Sequence, residues 1–179
     1  MVSIEPSGKV RHAREADRFY GVFLLVPAAA SAAAPLFLDA SLAWALFLAG
    51  LVGLSWLVLD RSPHGFVAAA GWTLLAGALG YHLAFHALLD VSWLALTLGG
   101  GFVLLGGAEI AFGLQRYRRV RPARLVLMIG GAAAVVFGVC VPLLWPGVPD
   151  WAGSATVAAM FAAFGLALLL GSYAKPADL

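Results

Sequence analysis

Residues 115–124 read Gln115-Arg116-Tyr117-Arg118-Arg119-Val120-Arg121-Pro122-Ala123-Arg124, five arginines within ten positions, with long apolar runs on both sides. An arginine at the centre of a bilayer costs about 2.5–3.5 kcal/mol on insertion scales. The cluster is therefore read as a loop held on the cytoplasmic side of a membrane. It orients the apolar runs around it.

Composition requires the membrane. Of 179 residues, 63% are hydrophobic and 11% charged, and the mean hydropathy is +0.95. Soluble domains run about 45–50% apolar and about 25% charged. A chain of this size cannot hide such an excess in a core, because small domains keep much of their surface exposed. The net charge of +2 comes from segments outside the apolar runs, so it reflects topology and does not indicate a nucleic-acid partner. The single cysteine, Cys140, allows neither an intrachain disulfide nor a cysteine-based metal site.

Outward from the arginine loop the chain divides into six apolar runs, at about 18–38, 42–59, 65–89, 93–114, 125–144 and 151–173. Each is close to the roughly 20 residues that cross a bilayer core of about 30 Å. Residues 1–17 form a polar cytosolic tail, and residues 18–175 a six-helix transmembrane bundle. The start of the first run has the shape of a secretory signal, a basic flank before an apolar stretch and then small residues. Its apolar character continues past that point to Leu38, so it is read as an uncleaved span, bent at Pro27.

With six spans, both termini share a side with the loops at 60–65 and 115–124. All eleven Lys and Arg residues fall on that side and none in the three opposite turns. The positive-inside rule makes it the cytoplasm. Trp44, Trp93, Trp145 and Trp151 fall near the outer ends, and Tyr20, Trp56, Tyr117 and Tyr173 near the inner ends. They form two interfacial aromatic belts.

The spans read as three parallel-repeat helical hairpins, at about 18–60, 63–119 and 122–175. Asp39, Asp90 and Asp150 each stand in an outer turn before an even-numbered span. Small residues recur along single faces: Ala45, Ala49 and Gly53; Ala76, Gly80 and Ala84; Gly99, Gly106 and Gly113; Gly130, Ala134 and Gly138; Ala159, Ala163 and Ala167. Such faces let helix backbones approach where lipid supplies no hydrophobic drive to associate. The third hairpin runs from Leu127-Met128-Ile129-Gly130-Gly131 through Gly138 and Leu144-Trp145-Pro146-Gly147 to Gly165 and Gly171. It resembles the repeat of the HdeD acid-resistance membrane protein family, and the resemblance covers roughly residues 98–173. The first two outer turns depart from it in lacking Trp-Pro. The resemblance implies a six-span protein of the bacterial inner membrane linked to acid stress, with no catalytic residues to carry over.

Few polar residues lie within the runs. His82, His86 and Asp90, next to Tyr81, are spaced i, i+4, i+8 on one helical face. They read as a proton-sensitive patch, as a metal pair lacking a clear third ligand, or as hydrogen-bonded packing residues. Glu109 is the one acid well inside a span. An intramembrane acid is a functional candidate by default; the alternative is an inner-edge glutamate reaching Arg116 or another loop arginine. Asp39, Asp90 and Asp150 read as an outer acidic ring, as helix N-caps, or as both. No nucleophile triad, phosphate loop, dinucleotide-binding glycine set or zinc-protease motif occurs, and no cofactor is expected. The expectation is a non-enzymatic, HdeD-like protein of the inner membrane with its N- and C-termini inside. Its partners would be the bilayer and either copies of itself or a larger membrane complex. An accessory subunit and a small channel or carrier are the alternatives.

Overall fold

The computed structural model describes residues 8–38, 41–59, 91–144 and 147–174, together with Thr73, Ala76 and Gly80. Five α-helices account for nearly all of them: α1 (Gly8–Ala33), α2 (Ser41–Leu59), α3 (Val91–Arg116), α4 (Arg121–Leu144) and α5 (Asp150–Tyr173). A 3-10 turn, Ala34–Leu36, follows α1. No strand occurs among the described residues. Four segments are long and apolar enough to cross a membrane: Arg14–Leu36, Ala95–Arg116, Arg121–Leu144 and Trp151–Tyr173. This is an integral, multi-pass membrane protein. Of the expected third span only Thr73, Ala76 and Gly80 are described, and all three are helical.

The helix boundaries differ from the sequence expectation at both ends of the arginine stretch. Helix α3 runs to Arg116 and α4 begins at Arg121, so the turn between them is only residues 117–120. Pro122 sits in the first turn of α4, where its missing N–H breaks no helical bond. At the N-terminus, α1 begins at Gly8 and takes in part of the polar tail. It continues through Pro27, and the chain leaves the helix only around Pro35.

Packing is closest between α3 and α4 and between α1 and α5. Both pairs use small residues. A Cβ added at Gly99 would lie 2.5 Å from the carbonyl oxygen of Gly138, and one at Gly138 would lie 2.5 Å from that of Gly99. Gly106 and Gly131 meet in the same reciprocal way, and a Cβ on Gly113 would touch Leu127 Cβ at 3.0 Å. Glycines seven apart on α3 thus face glycines seven apart on an antiparallel α4. A seven-residue period keeps one face toward the partner through a left-handed supercoil. Pro142 closes one end of this seam: a Cβ at Gly99 would also lie 2.8 Å from its Cδ. Pro142 has no N–H to give the Gly138 carbonyl four residues earlier. In the other pair, a Cβ on Gly165 would lie 2.7 Å from the Gly21 carbonyl oxygen. Gly80 is pressed against the backbone of Leu46 and Phe47 on α2.

The expected small faces are buried at Ala45, Ala49, Ala76, Gly80, Gly99, Gly106, Gly113, Gly130, Ala134, Gly138, Ala163 and Ala167. Ala159 is exposed, and Ala158 takes the buried position instead. Aromatic placement also needs correction at one residue. Trp44, Trp151 and Tyr173 are exposed as belt residues should be, but Tyr117 is only 2% exposed. The main core joins Leu24, Leu46, Leu98, Phe102, Phe161 and Leu168. A second cluster around Tyr117, Val120, Leu127 and Ala167 closes the arginine end.

Candidate functional site

Glu109 lies on the seam of the α3–α4 pair, three residues after Gly106 and four before Gly113. These spacings put it on the glycine face. The face is too crowded for a long side chain except where the partner offers room, and Gly130 offers it. A Cβ on Gly130 would lie 2.8 Å from Glu109 Oε1 and 2.5 Å from the Cβ of Ala163 on α5. The carboxyl therefore fills a niche where three helices converge. Glu109 is 2% exposed, and neither of its oxygens has a hydrogen-bond partner among the described residues.

The sequence alternative, Glu109 reaching Arg116, is not what the structure shows. Arg116 Nη2 instead donates to both carboxylate oxygens of Asp17, each at 3.3 Å. Its guanidinium also lies 5.6 Å from the Phe112 ring centroid. The nearest basic residue along α4, Arg124, is six residues from Gly130, about 9 Å at 1.5 Å per residue. Its Nη1 donates to the Arg118 carbonyl oxygen at 3.2 Å. The other titratable side chains of α4 and α5 are Arg121 and Cys140, and Asp150 and Tyr173, all several residues from the Gly130–Ala163 contact. An ionised carboxylate in this niche would be an unpaired buried charge, which is costly.

Three segments far apart in sequence meet at the arginine end. Arg14 Nη2 donates to the Ala174 carbonyl oxygen at 3.1 Å. The Arg18 guanidinium lies 4.5 Å from the Tyr173 ring centroid. Tyr117 packs on Gly171, where a Cβ would come within 2.5 Å of its ring. Burial raises the Tyr117 phenol above its ordinary value while the adjacent Arg116 acts against the rise, so Tyr117 stays neutral across the physiological range. The start of α1, the 117–120 turn and the end of α5 thus share one end of the molecule. At the opposite end, Leu42, Leu98, Val141, Val148 and Pro149 line an apolar recess with room for about one water.

Four of the residues singled out in the sequence, Asp39, His82, His86 and Asp90, lie outside the described residues, as does Tyr81. Asp150 is the first residue of α5 and Pro149 holds the cap position, so Asp150 is not the N-cap. Among the described residues no three metal-ligating side chains cluster. Sequence reasoning missed the Arg116–Asp17 pair, which spans 99 positions, and Ser31, fully buried with its hydroxyl unpartnered among the described residues. It also missed Gly131. The signal was present, since Gly131 and Gly138 repeat the seven-residue step of Gly99 and Gly106. Comparison with family models, with curated proteins and with solved structures found no match.

Proposed function

We propose that this chain is a non-enzymatic, six-span protein of the bacterial inner membrane, HdeD-like, with both termini in the cytoplasm and a bundle whose stability responds to protons. Glu109 carries the reading. It is an acid with two buried, unpartnered oxygens inside a membrane span, set where α3, α4 and α5 meet. The HdeD resemblance and the placement of Lys and Arg supply the membrane, the orientation and the link to acid stress. A titratable side chain in that position makes the packing of the three helices depend on whether it carries a proton. His82 and His86, beside Asp90, form a second proton-responsive pair in this reading.

The test is unfolding of the purified chain in mild detergent across a pH series, for wild type and Glu109→Gln. Where the folded and unfolded states differ by one bound proton, stability depends on pH with a slope of about 1.4 kcal/mol per unit. Glu109→Gln, a neutral stand-in of the same shape, is expected to flatten that slope. Equal slopes in both proteins overturn the reading. A parallel series with His82→Gln and His86→Gln isolates what the histidine pair adds below about pH 6.5.

A further inference from the structure

The arginines whose side chains are described divide into two groups. Arg14, Arg18, Arg116 and Arg124 each bind another part of the fold. Arg118, Arg119 and Arg121 are exposed, and none takes a side-chain partner among the described residues. Their placement follows from the anchors around them. Tyr117 is 2% and Val120 7% exposed, and both belong to the inner core cluster. With positions 117 and 120 pinned inward, Arg118 and Arg119 project from the short turn between them, and Arg121 opens α4 directly after it. The Arg124 side chain, bonded to the Arg118 carbonyl oxygen, ties the turn to the first turn of α4. The three unpartnered cations therefore stand on a braced turn.

The turn is flanked by apolar surface. Leu114, in the last turn of α3, is 47% exposed, and Leu125, in the first turns of α4, is 46% exposed. They sit where two apolar spans emerge at one polar end. We infer that this turn binds the head group of an anionic phospholipid, with its phosphate against Arg118, Arg119 and Arg121 and its acyl chains along Leu114 and Leu125. Guanidinium groups match phosphate oxygens in charge and in fork geometry. The apolar flanks favour a lipid over a free anion, because a soluble phosphate gains nothing from exposed leucine.

The experiment extracts the full chain into detergent with equal amounts of phosphatidylglycerol and phosphatidylcholine, and counts the retained lipids by native mass spectrometry. Wild type is expected to retain phosphatidylglycerol over phosphatidylcholine. Each basic residue near an anionic surface strengthens attraction about fivefold, so R118Q/R119Q/R121Q is expected to weaken phosphatidylglycerol retention about 100-fold at low salt. Phosphatidylcholine retention should be unchanged. The double variant R118Q/R119Q, which leaves α4 untouched, should lose about 25-fold on the same scale and keeps the test open if the triple variant unfolds. Equal retention of the two lipids by wild type, or undiminished phosphatidylglycerol retention by both variants, overturns the site. Full displacement of the lipid by millimolar inorganic phosphate also overturns it, since the pocket would then be a free-anion site.

Discussion

Glu109 and Gly130 define each other. A side chain at 130 would compete with the carboxyl at 2.8 Å and with the Cβ of Ala163 at 2.5 Å. Gly130→Ala is expected to destabilise the bundle by about 1–3 kcal/mol, the usual cost of overpacking. The closer obstacle is Ala163, so adding Ala163→Gly should restore part of the loss, and a double-mutant cycle in thermal unfolding measures how much. If Gly130→Ala is as stable as wild type, the niche is looser than the geometry says. Glu109 itself was legible in the sequence, as the one acid deep in an apolar run. Its environment was not. A step of seven residues puts Arg116 roughly on the same helical face, which makes the pair attractive on paper, but Asp17 takes Arg116 from α1, far away in the chain. No local periodicity reports such a contact.

At the level of the elements, α3 and α4 are joined by backbone-to-backbone approach at Gly99 with Gly138 and Gly106 with Gly131. Neither helix can move away from the other's carbonyls to admit a side chain without breaking the contacts along the whole seam. Gly106→Val is expected to cost more than about 3 kcal/mol, beyond ordinary overpacking because the obstacle is backbone. Val139→Leu, on a position that is 49% exposed, should stay within about 0.5 kcal/mol of wild type. Unfolding in detergent compares the two, and a tolerated Gly106→Val would mean that the seam runs elsewhere. The seven-step glycines of α3 were readable because the step holds three times, at Gly99, Gly106 and Gly113, whereas the parallel step from Gly100 to Gly107 ends at Leu114. On α4 the face of Gly130, Ala134 and Gly138 was legible too, but Gly131 was not, because Gly130, Gly131, Ala132, Ala133 and Ala134 offer small residues in every direction. Only packing separates the buried ones from Ala132 and Ala133, which are exposed.

For the whole molecule, the close pairs cross the boundaries of the sequence repeat. Helix α3 joins α4 across the arginine turn, and α1 joins α5. Within the expected third span, Gly80 meets α2 at Leu46 and Phe47. The repeat expected from the sequence is a hairpin, whereas the two closest helix pairs each join different hairpins. Such an arrangement closes the chain on itself, with Arg14 on Ala174 and Arg116 on Asp17 fastening its ends. It also places the start of α1, the 117–120 turn and the end of α5 at one end of the molecule. Orientation can be tested with single cysteines in a Cys140→Ala background. Pro149 is exposed beside the recess and Arg119 is exposed on the turn, so both admit a reagent. A cysteine at Pro149 is expected to react with an impermeant maleimide added to intact cells. Cysteines at Arg119 and at Ser62, within the expected loop at 60–65, should react only after permeabilisation. If Ser62 labels from outside while Arg119 does not, the chain crosses the membrane fewer than six times. If Arg119 labels and Pro149 does not, the basic end faces outward and the positive-inside reading is reversed.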